Sequence, residues 1–211
     1  GIKSNIDNIF SQYKAFFDYF YIFTKLKKKK DKVLIGSSCV FERKFFFKYK
    51  GWNQNIKKPS IEHEEFAKRL KEVKIIRLKN LYVEHKFPTG KYLFRIIFQR
   101  SLDWVFLKLN DKVEFDDLTR SKKTGFFSLQ PLLFFFLSII LPVIDYLPSK
   151  ILFIPLFLFV VGNLNFFYFL YKKSKVSKLI KYIFIHFFFC FTVSLGALTG
   201  LFKYSFQRIS K

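Results

Sequence analysis

The sequence predicts part of an α/β domain followed by three membrane-spanning α-helices. Three observations carry this. Beyond Thr124 the chain holds near-continuous apolar runs at 126–147, 151–171 and 179–202, each with the roughly 20 residues that a bilayer crossing needs. Charge divides the chain at the same point: 29 of the 38 Lys and Arg and 14 of the 15 Asp and Glu lie in residues 1–125, leaving Asp145 as the single later acid. Within that charged part, helix-like and strand-like patterns alternate, the order expected of a sheet covered by helices.

Taken in chain order, residues 5–24 place Ile6, Ile9, Phe10, Tyr13, Phe16, Phe17 and Phe20 at helical spacing, which reads as an amphipathic helix with one packed face. Four lysines at 27–30 follow. Residues 33–41 open with Val33, Leu34 and Ile35 and pass through Gly36, Ser37 and Ser38, a buried strand running into a small-residue turn where a ligand can approach the backbone. Residues 59–70 read as a helix begun by Pro59 and capped by Ser60. Its first turns crowd together Glu62, His63, Glu64 and Glu65, and acids there are favoured by the helix dipole alone. Phe66, Ala67 and Leu70 form the buried stripe, and 73–77 and 81–85 read as two short strands.

In the apolar part, insertion costs about 2.5–3.5 kcal/mol for Lys, Arg or Asp at a helix centre, so Asp145 belongs near the end of the first span. Pro155, Gly162 and Asn163 fit a second span with a kink or a packed face. Asn165 is expected to find its partner inside the bundle. Arg120, Lys122 and Lys123 before the first span, and Lys172, Lys173, Lys175, Lys178 and Lys181 between the second and third, place both segments and the soluble part in the cytoplasm by the positive-inside rule. Three crossings then carry the turn at 148–150 and the tail at 203–211 to the far side, against the tail's own Lys203, Arg208 and Lys211. The expected organisation is a cytoplasmic part at 1–125 and a membrane part at 126–211, in a cell or plasma membrane.

A net charge of +23 raises nucleic acid as a partner, but no recognised nucleic-acid motif accompanies the lysine run, and anionic lipid attracts the same charges. Membrane lipid is the expected partner and nucleic acid is not. Cys39 and Cys190 have no CxxC spacing, so neither a structural metal nor a disulfide framework is indicated. The chain opens with Gly and contains no Met, which suggests an internal start and a partial soluble domain.

Taken as a set, the string Gly36-Ser37-Ser38-Cys39-Val40-Phe41-Glu42-Arg43, the pair Gly51-Trp52, residues 60–70 and residues 81–85 resemble family 2 glycosyltransferases with a nucleotide-sugar-binding GT-A domain and C-terminal membrane helices. The resemblance implies inverting sugar transfer from a nucleotide-sugar to a lipid-linked or saccharide acceptor by single displacement. It puts Gly36, Ser37, Ser38, Arg43 and Trp52 beside donor and acceptor. His63 stands where the family places its catalytic Asp, with Glu62 and Glu64 beside it, and an imidazole can take a proton near neutral pH. Arg95, Arg100 and Trp104 match a basic-aromatic stretch near phosphate, where Arg offers a fork of donors; the plainer reading of that stretch is an interfacial amphipathic helix. Mg2+ or Mn2+ would enter through an upstream Asp-x-Asp motif that this chain lacks. The alternative is a noncatalytic membrane protein that binds glycolipid or serves as a scaffold.

Overall fold

The computed structural model describes residues 8–24, 39–56, 61–70, 73, 86–111, 122–143 and 148–209. Every regular element among them is helical: α1 (Ile9–Asp18, continuing as a π-helical stretch Tyr19–Thr24), α2 (Arg43–Lys48), α3 (Glu62–Arg69), α4 (Gly90–Asp111), α5 (Lys122–Ile140), α6 (Phe153–Lys173) and α7 (Val176–Ile209). Short 3-10 turns at Leu141–Val143 and Ser149–Leu152 frame the connection from α5 to α6.

This overturns the α/β expectation and with it the GT-A domain. Cys39, Val40, Phe41 and Val73 have no regular structure; the rest of the expected strands, at 33–38, 74–77 and 81–85, lies outside the described residues. The physical reason is where the apolar side chains go. The stripe of α1 and the Leu93–Ile97 face of α4 pack on α6 and α7, so among the described residues they build helix-on-helix layers instead of covering a sheet.

Three helices are long and apolar enough to cross a bilayer: Thr124–Val143, Ser149–Lys173 and Val176–Arg208. This is the mark of an integral membrane protein. Large side chains on their outer faces stand exposed, among them Phe135, Phe157, Tyr168, Phe184 and Phe188, as suits helices surrounded by lipid.

Glycines set the closest approaches. A Cβ on Gly196 would lie 2.5 Å from the Phe98 carbonyl oxygen, and one on Gly200 would lie 3.0 Å from that of Leu102. The pair forms a small-xxx-small seat that lets the α4 backbone rest on α7. The contacts Phe98–Gly196, Leu102–Gly200 and Phe106–Tyr204 advance together along both chains, so α4 and α7 run in the same direction. Gly162 of α6 likewise leaves room for the Phe127 ring of α5. Pro131 inside α5 cannot donate to the carbonyl four residues back; at the neighbouring Ser128 carbonyl, Ser194 Oγ of α7 donates a hydrogen bond of 2.8 Å.

A second, smaller core joins α2 to α3. Phe66, Ala67 and Leu70 are buried there against Phe41, Phe45, Phe46, Tyr49 and Trp52. Gly51 has φ +55°, and a Cβ there would press on the Phe46 ring at 2.9 Å, so both backbone and space require glycine.

Candidate functional site

The most concentrated buried polar chemistry lies where α1, α6 and α7 meet. Asn8 starts α1, its Oδ1 accepting from the Phe10 amide at 2.9 Å, a side-chain cap that fixes the helix register. Tyr13 then falls on the inner face, fully buried. Its hydroxyl lies 2.7 Å from His186 Nδ1. His186 Nε2 lies 2.9 Å from Asn163 Oδ1, and Asn163 Nδ2 donates to the Phe159 carbonyl at 2.9 Å.

The donor directions follow from the last member. A carbonyl only accepts, so the Asn163 amide must present its NH2 to Phe159 and its oxygen to His186. The imidazole then carries its proton on Nε2, and Nδ1 accepts from the Tyr13 hydroxyl. Burial pushes the Tyr13 phenol well above its ordinary range, which keeps that donor in place at physiological pH. Cys190 Sγ stands 3.6 Å from the same Nε2. Rings of Phe17, Phe159, Phe166, Phe167 and Phe189 enclose the imidazole at 5.0–6.4 Å between centroids.

Gln12, one residue before Tyr13, makes a separate polar contact between α1 and α7. Its Oε1 accepts from Tyr182 at 3.0 Å and from Lys178 at 3.2 Å. On the other side, the buried Ser11 hydroxyl lies 3.2 Å from the carbonyls of Phe87 and Pro88, tying α1 to the chain entering α4. Chemically the arrangement is a lock: each polar group is spent on positioning its neighbour.

The residues singled out from the sequence fall elsewhere. Glu62, His63 and Glu64 share the first turn of α3, with His63 Nε2 2.9 Å from Glu64 Oε2 and Nδ1 3.8 Å from Glu62 Oε1. Glu65 grips Arg69 through two contacts of 2.9 Å, and Arg69 also donates to the carbonyls of Tyr49 and Gly51. Trp52 packs edge-on against Phe46 and Phe66 at 5.5 and 5.0 Å. Arg43 lies exposed over the Phe47 ring. Gly36, Ser37 and Ser38 lie outside the described residues. Arg95, Arg100 and Trp104 stand on α4; Arg95 is exposed, while Arg100 and Trp104 are half-buried one turn apart. Arg100 Nε is buried with no hydrogen-bond partner among the described residues.

Asn165, expected to pair inside the bundle, is exposed, and Asn163 takes that place. Two residues turn a helix by about 200°, so the choice between them is invisible without the axis of the neighbouring helix. His186 and Tyr13 were also missed as a site. The available signal was an imidazole inside an otherwise apolar run, which asks for a polar partner.

Among the described residues, no group of three or more His, Cys, Asp or Glu side chains could hold a metal ion. Comparison with protein families, with curated proteins and with solved structures finds no match in any of the three. The helical fold removes the framework on which the glycosyltransferase resemblance depended. Sugar transfer, enzymatic activity, and nucleotide-sugar and saccharide or lipid-linked acceptors as partners are withdrawn with it.

Proposed function

We propose that this chain is a noncatalytic membrane scaffold whose working surface is lipid. The observation that carries this reading is the division of labour between the two sides of its long helices. Polar groups on the inner side are committed to one another through Tyr13, His186, Asn163 and Gln12, while the outer side is a field of exposed apolar rings. Between α5 and α6 an apolar groove of about 310 Å³, lined by Leu133, Leu137, Ile154, Pro155 and Leu158 with Gln130 at its edge, has the shape and chemistry for an acyl chain.

In this reading the α2–α3 lobe is the water-facing part, held beside the bilayer. The acids around His63 serve the α3 dipole, and Arg100 with Trp104 supplies an anchor for lipid phosphate at the interface. In the same reading the α6–α7 turn and the lobe lie in the cytoplasm, which the exposed lysines at 172, 173, 175, 178 and 181 support through the positive-inside rule, with the boundary to the membrane part near residue 125.

Two measurements test the reading. The chain should remain in the membrane pellet after alkaline carbonate extraction, and a phospholipid with a photoreactive acyl chain should crosslink to α5 and α6. Leu133→Trp combined with Ile154→Trp should fill the groove and lower that crosslinking. Release by carbonate, or crosslinking indifferent to filling, would overturn it.

A further inference from the structure

We infer that α7 does not complete a third crossing: it lies across the α5–α6 hairpin within one leaflet, with both of its ends on the lysine-rich side. Four independent observations converge. The first is direction. α5 and α6 form an antiparallel hairpin, in which Phe127 of α5 meets Gly162 of α6 and the end of α5 and the start of α6 line one groove. Three consecutive crossings would make α5 and α7 parallel. Instead Ser128 meets Ser194, and Phe134 meets Phe187, so later residues of α5 contact earlier residues of α7.

The second is inclination. His186 alone touches Phe159, Asn163, Phe166 and Phe167, two turns of α6 against a single residue of α7. One side chain seated among four of the facing helix fixes where α7 meets α6; on α5, the contacts Ser128–Ser194 and Phe135–Phe191 move only three residues along α7 for seven along α5, so α7 crosses the hairpin instead of advancing with it. The contacts fall at residues 128–135 of α5 and 159–167 of α6, reaching the middle of both arms and not the turn between them.

The third is the company α7 keeps. α4 runs beside Gly196 and Gly200, the stretch that a third crossing would place deep in the bilayer. Yet α4 carries Arg95, Arg100, Asp103 and Lys108, charges that hydrocarbon disfavours strongly. An α7 lying along the interface puts α4 on its water side. At about 100° per residue, the exposed Ile180, Phe184, Phe188, Phe202 and Phe206 share one stripe on the face away from Gly196 and Gly200, aimed at acyl chains. The fourth is charge. Lys175, Lys178 and Lys181 bracket the start of α7 and Lys203 and Arg208 its end, so the positive-inside rule favours the same side for both.

The surface this creates is a one-leaflet wedge whose partner is the anionic lipid of the lysine-rich side. Binding of that kind responds to lipid charge and to packing defects. The inference rests on the membrane-embedded reading, and carbonate extraction of each variant separates failure of that reading from failure of this one.

The test is sidedness in the full chain carrying Cys39→Ser, Cys190 being buried. Ser149→Cys, Ser177→Cys and Ser205→Cys are each challenged in intact cells with a membrane-impermeant maleimide, before and after permeabilisation. The expected result is that Ser177 and Ser205 positions behave alike and opposite to Ser149. Matching behaviour of Ser149 and Ser205 overturns the inference. Spin labels at positions 184, 188, 202 and 206 supply a second measurement. They should report one shallow depth, whereas a crossing would spread positions 184 and 206 over about 33 Å along the helix axis.

Discussion

The α2–α3 lobe and the α1–α6–α7 junction are both built mainly from aromatic rings, yet they are held in different ways. In the lobe, three buried residues, Phe66, Ala67 and Leu70, collect a ring of half-buried aromatics, and one cation, Arg69, ties α3 to the carbonyls after α2. In the junction, a larger cluster of buried hydrophobic residues, joined by Leu93 and Ile97 of α4, forms among the described residues, and a directed hydrogen-bond chain runs through its centre. Rings supply attraction in both, but they pack in many nearly equivalent ways. In the junction the polar thread runs through the buried centre of the rings, whereas in the lobe Arg69 makes its directed bonds at the half-buried edge, so the thread selects one packing of the rings around it.

That contrast can be broken at the lobe first. Phe66→Ala removes the central ring of a three-residue core, a change that costs about 3–5 kcal/mol in a packed interior. The lobe should lose its protease resistance while the chain stays in the carbonate pellet; simultaneous loss of both would mean that the two regions are one cooperative unit. Gly196→Val drives a side chain into the Phe98 carbonyl region and should cost about 1–3 kcal/mol, read as trypsin cutting at Arg95 or Arg100 on α4. Unchanged cutting would show that α4 is not seated there.

Tyr13→Phe keeps the ring and removes the hydroxyl, leaving His186 Nδ1 without its donor. The expected loss is about 1–3 kcal/mol, the cost of a buried acceptor left unpaired, seen as faster hydrogen exchange confined to α1, with the lobe unaffected. The smallest effect concerns Cys39, which flanks the lobe core. Partial burial raises its thiol above the usual range, so less of it is thiolate at neutral pH. With Cys190 buried, alkylation near pH 7 should be slower than that of an unstructured thiol and should climb as the pH rises through and beyond 9. Rapid labelling at pH 7 would place Cys39 outside the lobe.

Much of the helical frame was legible in the sequence. The apolar runs found α5, α6 and α7, the stripe from Ile9 to Phe20 found α1, and the acid-first, base-last pattern found α3. What stayed hidden depended on partners far away in the chain. Val33, Leu34 and Ile35 make a short apolar run, which periodicity cannot assign to strand or helix without a neighbour. Arg100 and Trp104 looked like a site because a basic-aromatic stretch before a membrane segment also serves as a packed helix. The spacing of Gly196 and Gly200 was visible, but its meaning required the α4 backbone that rests on it.

The lock between Tyr13 and His186 spans 173 residues, and that distance is also an interval of time. At about 5–20 residues per second of synthesis, α1 is made on the order of ten seconds or more before the imidazole that will hold it exists. During that wait its aromatic stripe gains α4 and later α6 to pack on, but not the imidazole that bonds Tyr13. The synthesis of α7 therefore decides when α1 becomes native. A ribosome that stalls between Asn163 and His186 leaves α1 with the α6 half of its cradle and without the group that fixes its register.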